Sequence, residues 1–286
     1  MSLSEGQEHR AEVASSAIRQ PDAPASVVEA DAPMAEPGEV FQESPPLEPI
    51  PVEPVSAQCL DPVSPLAEEF RLLRGRVRAL DRDRSLRTLG VVSAGAREGR
   101  STIALGLACA LAWERHTVLL VEGDLARRGL ERRLGLRPAP GLVEWLRGGG
   151  ARIPVSRLGR FGPYLLPAGT ARLDEGPLFA APRMSELMEA GRRRFDWVVV
   201  DAGPVLGSAD TLALQDVVDG FLCVVRARRT ARAGLRRALR ALKPGRVRGL
   251  VLNEHREFFT RYDALPVAAH GQGGKGAMLD SVGARP

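Results

Sequence analysis

The chain has 286 residues, 44% of them hydrophobic and 26% charged, and a formal net charge of +5. No apolar run approaches the ~18–20 residues a membrane span needs, and the N-terminus lacks the charged-then-apolar layout of a signal peptide. Three scattered cysteines, Cys59, Cys109 and Cys223, and four histidines without metal spacing argue against a disulfide framework or a His/Cys metal centre. The expected compartment is the reducing cytoplasm, with peripheral placement at the inner membrane through a partner.

In chain order, residues 1–63 carry ten of the 22 prolines, twelve acidic residues and two basic ones. No apolar period is visible there. Such a stretch buries too little surface to offset its ordering entropy, so it reads as a disordered acidic, Pro-rich arm. Removing its charge of −10 from the total of +5 leaves +15 on the remainder. A body over 64–258 follows, then a flexible Gly-rich tail over 259–286.

Within the body, Leu66, Phe70, Leu73, Val77 and Leu80 form an apolar stripe that predicts a helix over 66–80. Strands are expected near 87–92, 116–121, 163–166, 196–201, 220–226 and 247–252. Helices are expected near 101–114, 128–134, 141–147, 178–193, 209–216 and 229–242. The strand runs are continuously apolar, as in Val118-Leu119-Leu120-Val121 and Trp197-Val198-Val199-Val200, which marks strands covered on both faces. The fold class is therefore α/β, a mainly parallel sheet with helices on both faces. In the last helix Arg229, Arg232, Arg236, Arg240 and Lys243 recur opposite Leu235, Leu239 and Leu242. A solvated face is the commoner meaning of such a stripe; membrane lipid, DNA and the protein's own arm are undistinguished as anionic partners, and nucleic acid is not favoured.

The chemistry sits in three places. Ser93-Ala94-Gly95-Ala96-Arg97-Glu98-Gly99-Arg100-Ser101-Thr102 reads as a phosphate-binding loop that opens a helix. In such loops backbone N–H groups wrap phosphates, a lysine reaches the terminal phosphate and a Ser/Thr hydroxyl ligates magnesium. Here Gly95, Gly99 and Ser101 keep the turn and the hydroxyl, whereas Arg100 stands where the lysine belongs. Its planar fork is not a compact point charge. Glu122-Gly123-Asp124 follows one strand and Asp201-Ala202-Gly203-Pro204 another, and ligands in such sheets lie beyond the strand carboxyl ends. A strand-terminal Asp commonly holds magnesium, so Ser101, Glu122 and Asp201 are candidate ligands.

These motifs in this order resemble the deviant-Walker P-loop ATPases related to MinD and ParA, and within them the bacterial tyrosine kinases (BY-kinases) of the CpsD/CapB type. Glu68-Glu69-Phe70-Arg71-Leu72-Leu73-Arg74 is similar to the family's Glu-x-x-Arg-x-x-Arg helix, which implies self-assembly through Glu68, Arg71 and Arg74. Residues 118–127 resemble the second Walker motif and 195–206 the Walker B motif, and Asn253 stands at a nucleotide-base contact. The resemblance covers about 65–254 and implies ATP and Mg2+ as cofactors. It also implies a membrane-bound polysaccharide co-polymerase or adaptor as partner, and control of exopolysaccharide or capsule synthesis or export through protein-tyrosine phosphorylation. Gly95, Ala96, Arg97, Glu98, Gly99, Arg100, Ser101 and Thr102 would hold the nucleotide, and Arg100, Glu122, Asp124 and Asp201 would carry the reaction. The departures are Arg100 for Lys, Glu122 for Asp and Ala126 for Arg. Family members usually end in a tyrosine cluster, whereas this chain has two tyrosines, leaving Tyr262 as the candidate phosphoacceptor. The alternatives are an inactive pseudokinase acting as an assembly partner and, with less support, a ParA/MinD-like positioning ATPase, whose signature lysine is replaced by Gly95.

Overall fold

The computed structural model describes residues 40–81, 85–149, 152–170, 178–180 and 182–254. Tyr262, most of the acidic arm and the Gly-rich tail lie outside them. The strands are β1 (Phe41–Leu47), β2 (Thr88–Ser93), β3 (Val118–Gly123), β4 (Ile153–Leu158), β5 (Tyr164–Leu166), β6 (Trp197–Pro204), β7 (Gly220–Arg226) and β8 (Val247–Asn253). The helices are α1 (Pro54–Leu60), α2 (Pro65–Leu80), α3 (Arg100–Ala112), α4 (Gly129–Arg133), α5 (Leu142–Leu146), α6 (Pro182–Arg194), α7 (Ala209–Ala213) and α8 (Arg232–Ala241).

The eight strands form one sheet in the order β1-β4-β5-β3-β6-β2-β7-β8, with every neighbouring pair parallel except β4 and β5. Alternate residues of the central strands feed two cores. Leu119, Val121, Val198 and Val200 pack with α5, α6 and α8, whereas Leu120, Val199, Leu89 and Val91 pack with α1, α2, α3 and α4. Two covered faces explain why those strands carry no polar alternation. Helix α3 is buried almost all round. Its Gly106 admits the Phe70 ring of α2, since a Cβ there would lie 2.2 Å from that ring. Helix α2 starts where Pro65 follows Ser64, whose hydroxyl accepts the Ala67 N–H at 3.1 Å.

The reading of 1–63 as a disordered arm is corrected over its last third. Strand β1 pairs in parallel with β4 at the sheet edge, and Phe41 meets Phe195 edge-on at 5.3 Å. The chain then crosses to α4, where the Ile50 and Val52 N–H groups donate to Leu134 O at 3.0 Å and Arg133 O at 2.9 Å. Helix α1 follows, with Cys59 fully buried against α3. An outer strand needs hydrogen bonds on one side only, so Pro45 and Pro46 are tolerated there. A few anchors, Phe41 and Cys59 above all, hold a segment whose average composition is polar.

Candidate functional site

The register aligns Glu122 of β3 with Asp201 of β6, and Asp201 with Val91 of β2. The loop after β2 and both carboxylate sites therefore meet at adjacent carboxyl ends, as their sequence positions implied. The turn is built from two left-handed residues, Arg97 at φ 59° and Gly99 at φ 99°. At Gly99 any Cβ would also lie 2.0 Å from the Asn253 amide nitrogen, so both backbone and space demand glycine. Ser93 Oγ donates to Gly95 O at 2.6 Å, and the Gly95 N–H donates to Glu98 Oε1 at 3.2 Å. Ala96 and Arg97 stand exposed at the tip.

Arg100, the first residue of α3, is 5% exposed and fully engaged. Its Nε donates to Ala202 O at 2.8 Å, one terminal nitrogen donates to Gly95 O at 2.7 Å and to Ser93 Oγ, and the other donates to Asp124 Oδ2 at 2.9 Å. The guanidinium thus ties the loop to the ends of β3 and β6. A lysine, with three donors on one atom and no fork, could not make this set of bonds.

Asp201 is fully buried, and neither carboxylate oxygen has a hydrogen-bond partner among the described residues. Burial outweighs the adjacent Ser101 hydroxyl, which falls short of hydrogen-bond geometry, and the Arg100 charge, and pushes its pKa from 3.8 up to about 7. Glu122 is equally buried. Its Oε2 accepts the Leu130 and Glu131 N–H groups at 2.7 and 2.9 Å, and its Oε1 has no partner. Burial first, and then the neighbouring Asp201, hold it well above the usual carboxylate range. Glu131 is pushed up to about 7, again chiefly by burial. Unpartnered buried oxygens on Asp201 and Glu122 are costly alone and are the donor type that hard divalent cations favour. The residues present therefore fit a magnesium ion held by Asp201, Ser101 and Glu122.

Sequence reasoning missed the braces around this centre. Arg133 of α4 joins Glu53 at 2.8 Å to Thr102 Oγ1 at 3.1 Å, turning the Thr102 hydroxyl toward the N-terminal segment. Gly129 leaves room for Ser101, whose Oγ would lie 2.7 Å from any Cβ placed there. Asn253, expected at a nucleotide base, here donates its amide to Glu98 O at 3.0 Å, and Arg226 donates to Arg97 O at 3.0 Å. Only the unmatched polarity of Glu53 and Arg133 hinted at this in sequence.

Two arginines of the α2 flank have partners within the chain, while Glu68 remains exposed. Arg71 pairs with Glu68 at 2.8 Å and lies 5.7 Å over the Trp113 ring, and Arg74 reaches Ala110 O at 3.2 Å and Glu114 at 2.6 Å. These arginines close the C-terminal end of α3, where cations are favoured.

A mainly parallel sheet, a left-handed glycine at the mouth of a buried helix and a buried aspartate on the neighbouring strand are the elements of a P-loop NTPase fold. No protein-family model matches the chain. It is 33% identical over 201 residues to the succinoglycan biosynthesis transport protein ExoP of Rhizobium meliloti, covering 68% of this chain and 25% of that protein. It is 27% identical over 183 residues to the tyrosine-protein kinase YwqD of Bacillus subtilis, covering 64% of this chain and 77% of that one. Among solved structures it resembles the kinase domain of the Escherichia coli tyrosine kinase ETK, with a TM-score of 0.62 at 23% identity over 70% of this chain and 79% of that chain. The VpsO kinase domain gives a TM-score of 0.59 at 24% identity over 66% and 95%. The chain belongs to the bacterial tyrosine kinases of the deviant-Walker P-loop ATPases, with degenerate motifs. It spans about a quarter of the length of ExoP and of the putative tyrosine-protein kinase EpsB of Ralstonia solanacearum. No helix among the described residues is long and apolar enough to cross a membrane.

Proposed function

We propose that this chain binds magnesium nucleotide at its P-loop and regulates exopolysaccharide or capsule synthesis or export, with ATP-dependent protein-tyrosine phosphorylation as its reaction. The observation that carries this reading is Asp201, fully buried without a hydrogen-bond partner beside Ser101 at the mouth of the loop. Magnesium held there would neutralise phosphate charge and align the transferred group, the main requirements of phosphoryl transfer. Arg100 donates to the loop carbonyl of Gly95, and in this reading Asp124 accepts the proton of the acceptor hydroxyl. In this reading the tyrosine hydroxyl's proton passes to the Asp124 carboxylate, whose Oδ2 also accepts from Arg100. Exopolysaccharide production as the setting rests on the names borne by the relatives, and a membrane-bound co-polymerase or adaptor is the proposed partner.

A second reading, a pseudokinase acting as an assembly partner, is favoured by one specific feature. The Arg100 fork is fully occupied by acceptors within the protein, and its charge is compensated by Asp124 at 2.9 Å. Incubation with labelled ATP and magnesium separates the two. Label on the wild-type chain that disappears in Tyr262→Phe establishes the kinase, whereas label appearing only in Arg100→Lys establishes the pseudokinase.

A further inference from the structure

Residues 220–253 contain nine arginines, one lysine and no aspartate or glutamate. Four of these cations are engaged: Arg226 with Glu254, Lys243 with Asp216, Arg246 with Val218 O and Arg248 with Asp219 O. The other six, Arg228, Arg229, Arg232, Arg236, Arg237 and Arg240, are exposed, and among the described residues their side chains make no hydrogen bond or ion pair. Helix α8 is anchored through Leu235, Ala238, Leu239 and Leu242, which leaves its arginines on the solvent side.

A second feature lies on the same side of the sheet. Strand β8 is outermost, and its Leu250 and Leu252 are 56% and 53% exposed. Leu250 is in register with Cys223, which belongs to the core that α8 covers, whereas Gly249 faces Leu80 of α2 on the other side. Four uncompensated guanidinium groups of α8, those of Arg232, Arg236, Arg237 and Arg240, and two exposed leucines of β8 therefore lie on one side of the sheet.

We infer that this face docks directly on an anionic lipid surface. A bilayer interface takes up both components, the guanidinium groups among phosphate headgroups and the leucines below them, while arginine stems lie along the apolar boundary. A nucleic-acid duplex would match the charge and gain nothing from the leucines. The segment's only aromatic residue, Phe221, is fully buried, so it offers no ring for base stacking. An acidic polypeptide would likewise match charge alone. The inference does not depend on turnover.

The test is sedimentation of the full chain with phosphatidylcholine vesicles carrying about 30% phosphatidylglycerol, at about 0.1 M salt where only near-surface charges act strongly. Binding is expected to be absent from pure phosphatidylcholine and to fall about 100-fold in the triple variant Arg232→Gln/Arg236→Gln/Arg240→Gln. Leu250→Ser/Leu252→Ser is expected to weaken it several-fold, and the melting temperatures of both variants, which change exposed side chains, confirm that they fold. Equal binding to pure phosphatidylcholine, or undiminished binding by the triple variant, overturns the inference. So does tighter binding to duplex DNA or polyglutamate at the same salt, which assigns the face to a polyanion other than lipid, or undiminished vesicle binding by the leucine variant, which removes the apolar component from the contact.

Discussion

Arg100 and Asp124 form a buried ion pair, 5% and 8% exposed, in which each group removes the cost of burying the other. Asp124→Ala should therefore destabilise the chain by about 3–5 kcal/mol in denaturant melts, because the guanidinium stays buried without its counter-charge. The double variant Arg100→Met/Asp124→Leu should regain most of that loss; equal destabilisation in both would show that the pair is not the cause. Asp201 sets a pH response. The folded state holds its proton up to about pH 7 and the unfolded chain releases it near 3.8, so its stabilising contribution is complete below 3.8 and is lost as pH rises toward 7. Glu131, raised to about 7, acts in the same direction. Glu144, lowered to about 2, changes charge below this window. Without magnesium the melting temperature should fall between about pH 5 and pH 7.5, less steeply in Asp201→Asn, and added magnesium should stabilise more at the higher pH. A melting temperature that rises over that interval contradicts this assignment.

Among the elements, those with an uninterrupted apolar signature were legible from sequence. The six expected strands are all present, and the helix read over 66–80 is Pro65–Leu80. Strand β1 was not legible, because two prolines and an acidic surround hid a segment that needs only Phe41 and a parallel edge partner. Strand β4 was missed for a related reason: Pro154 and Arg157 interrupt a run whose buried members, Ile153, Val155 and Leu158, do alternate. If β1 is an integral edge, Phe41→Ala should cost about 3 kcal/mol and open 40–60 to limited proteolysis, with little change at 197–204. Cleavage within 40–60 at the same rate in wild type and variant would restore the disordered-arm reading there. The charged flank of α2 shows a different limit. Its helical wheel displayed Glu68, Arg71 and Arg74 correctly, but only tertiary structure shows Arg74 committed to Ala110 and Glu114 at the end of α3.

Taken whole, the molecule joins two ends of its sequence at one loop. Glu53 and Arg133 brace Thr102 from the N-terminal side, while Asn253 and Arg226 brace Glu98 and Arg97 from the last strands. The identity of the loop was legible because glycine, hydroxyl and strand-terminal aspartate are fixed by local chemistry. Its bracing was not, since bonds spanning 31 to 155 residues leave no local pattern. The measurement that bears most directly on the nucleotide site is a calorimetric titration of the chain with ATP, with and without magnesium, beside Asp201→Asn. The expected result is saturable one-to-one binding that requires magnesium and is lost in Asp201→Asn. No binding under any condition, or binding indifferent to both magnesium and Asp201, would contradict it.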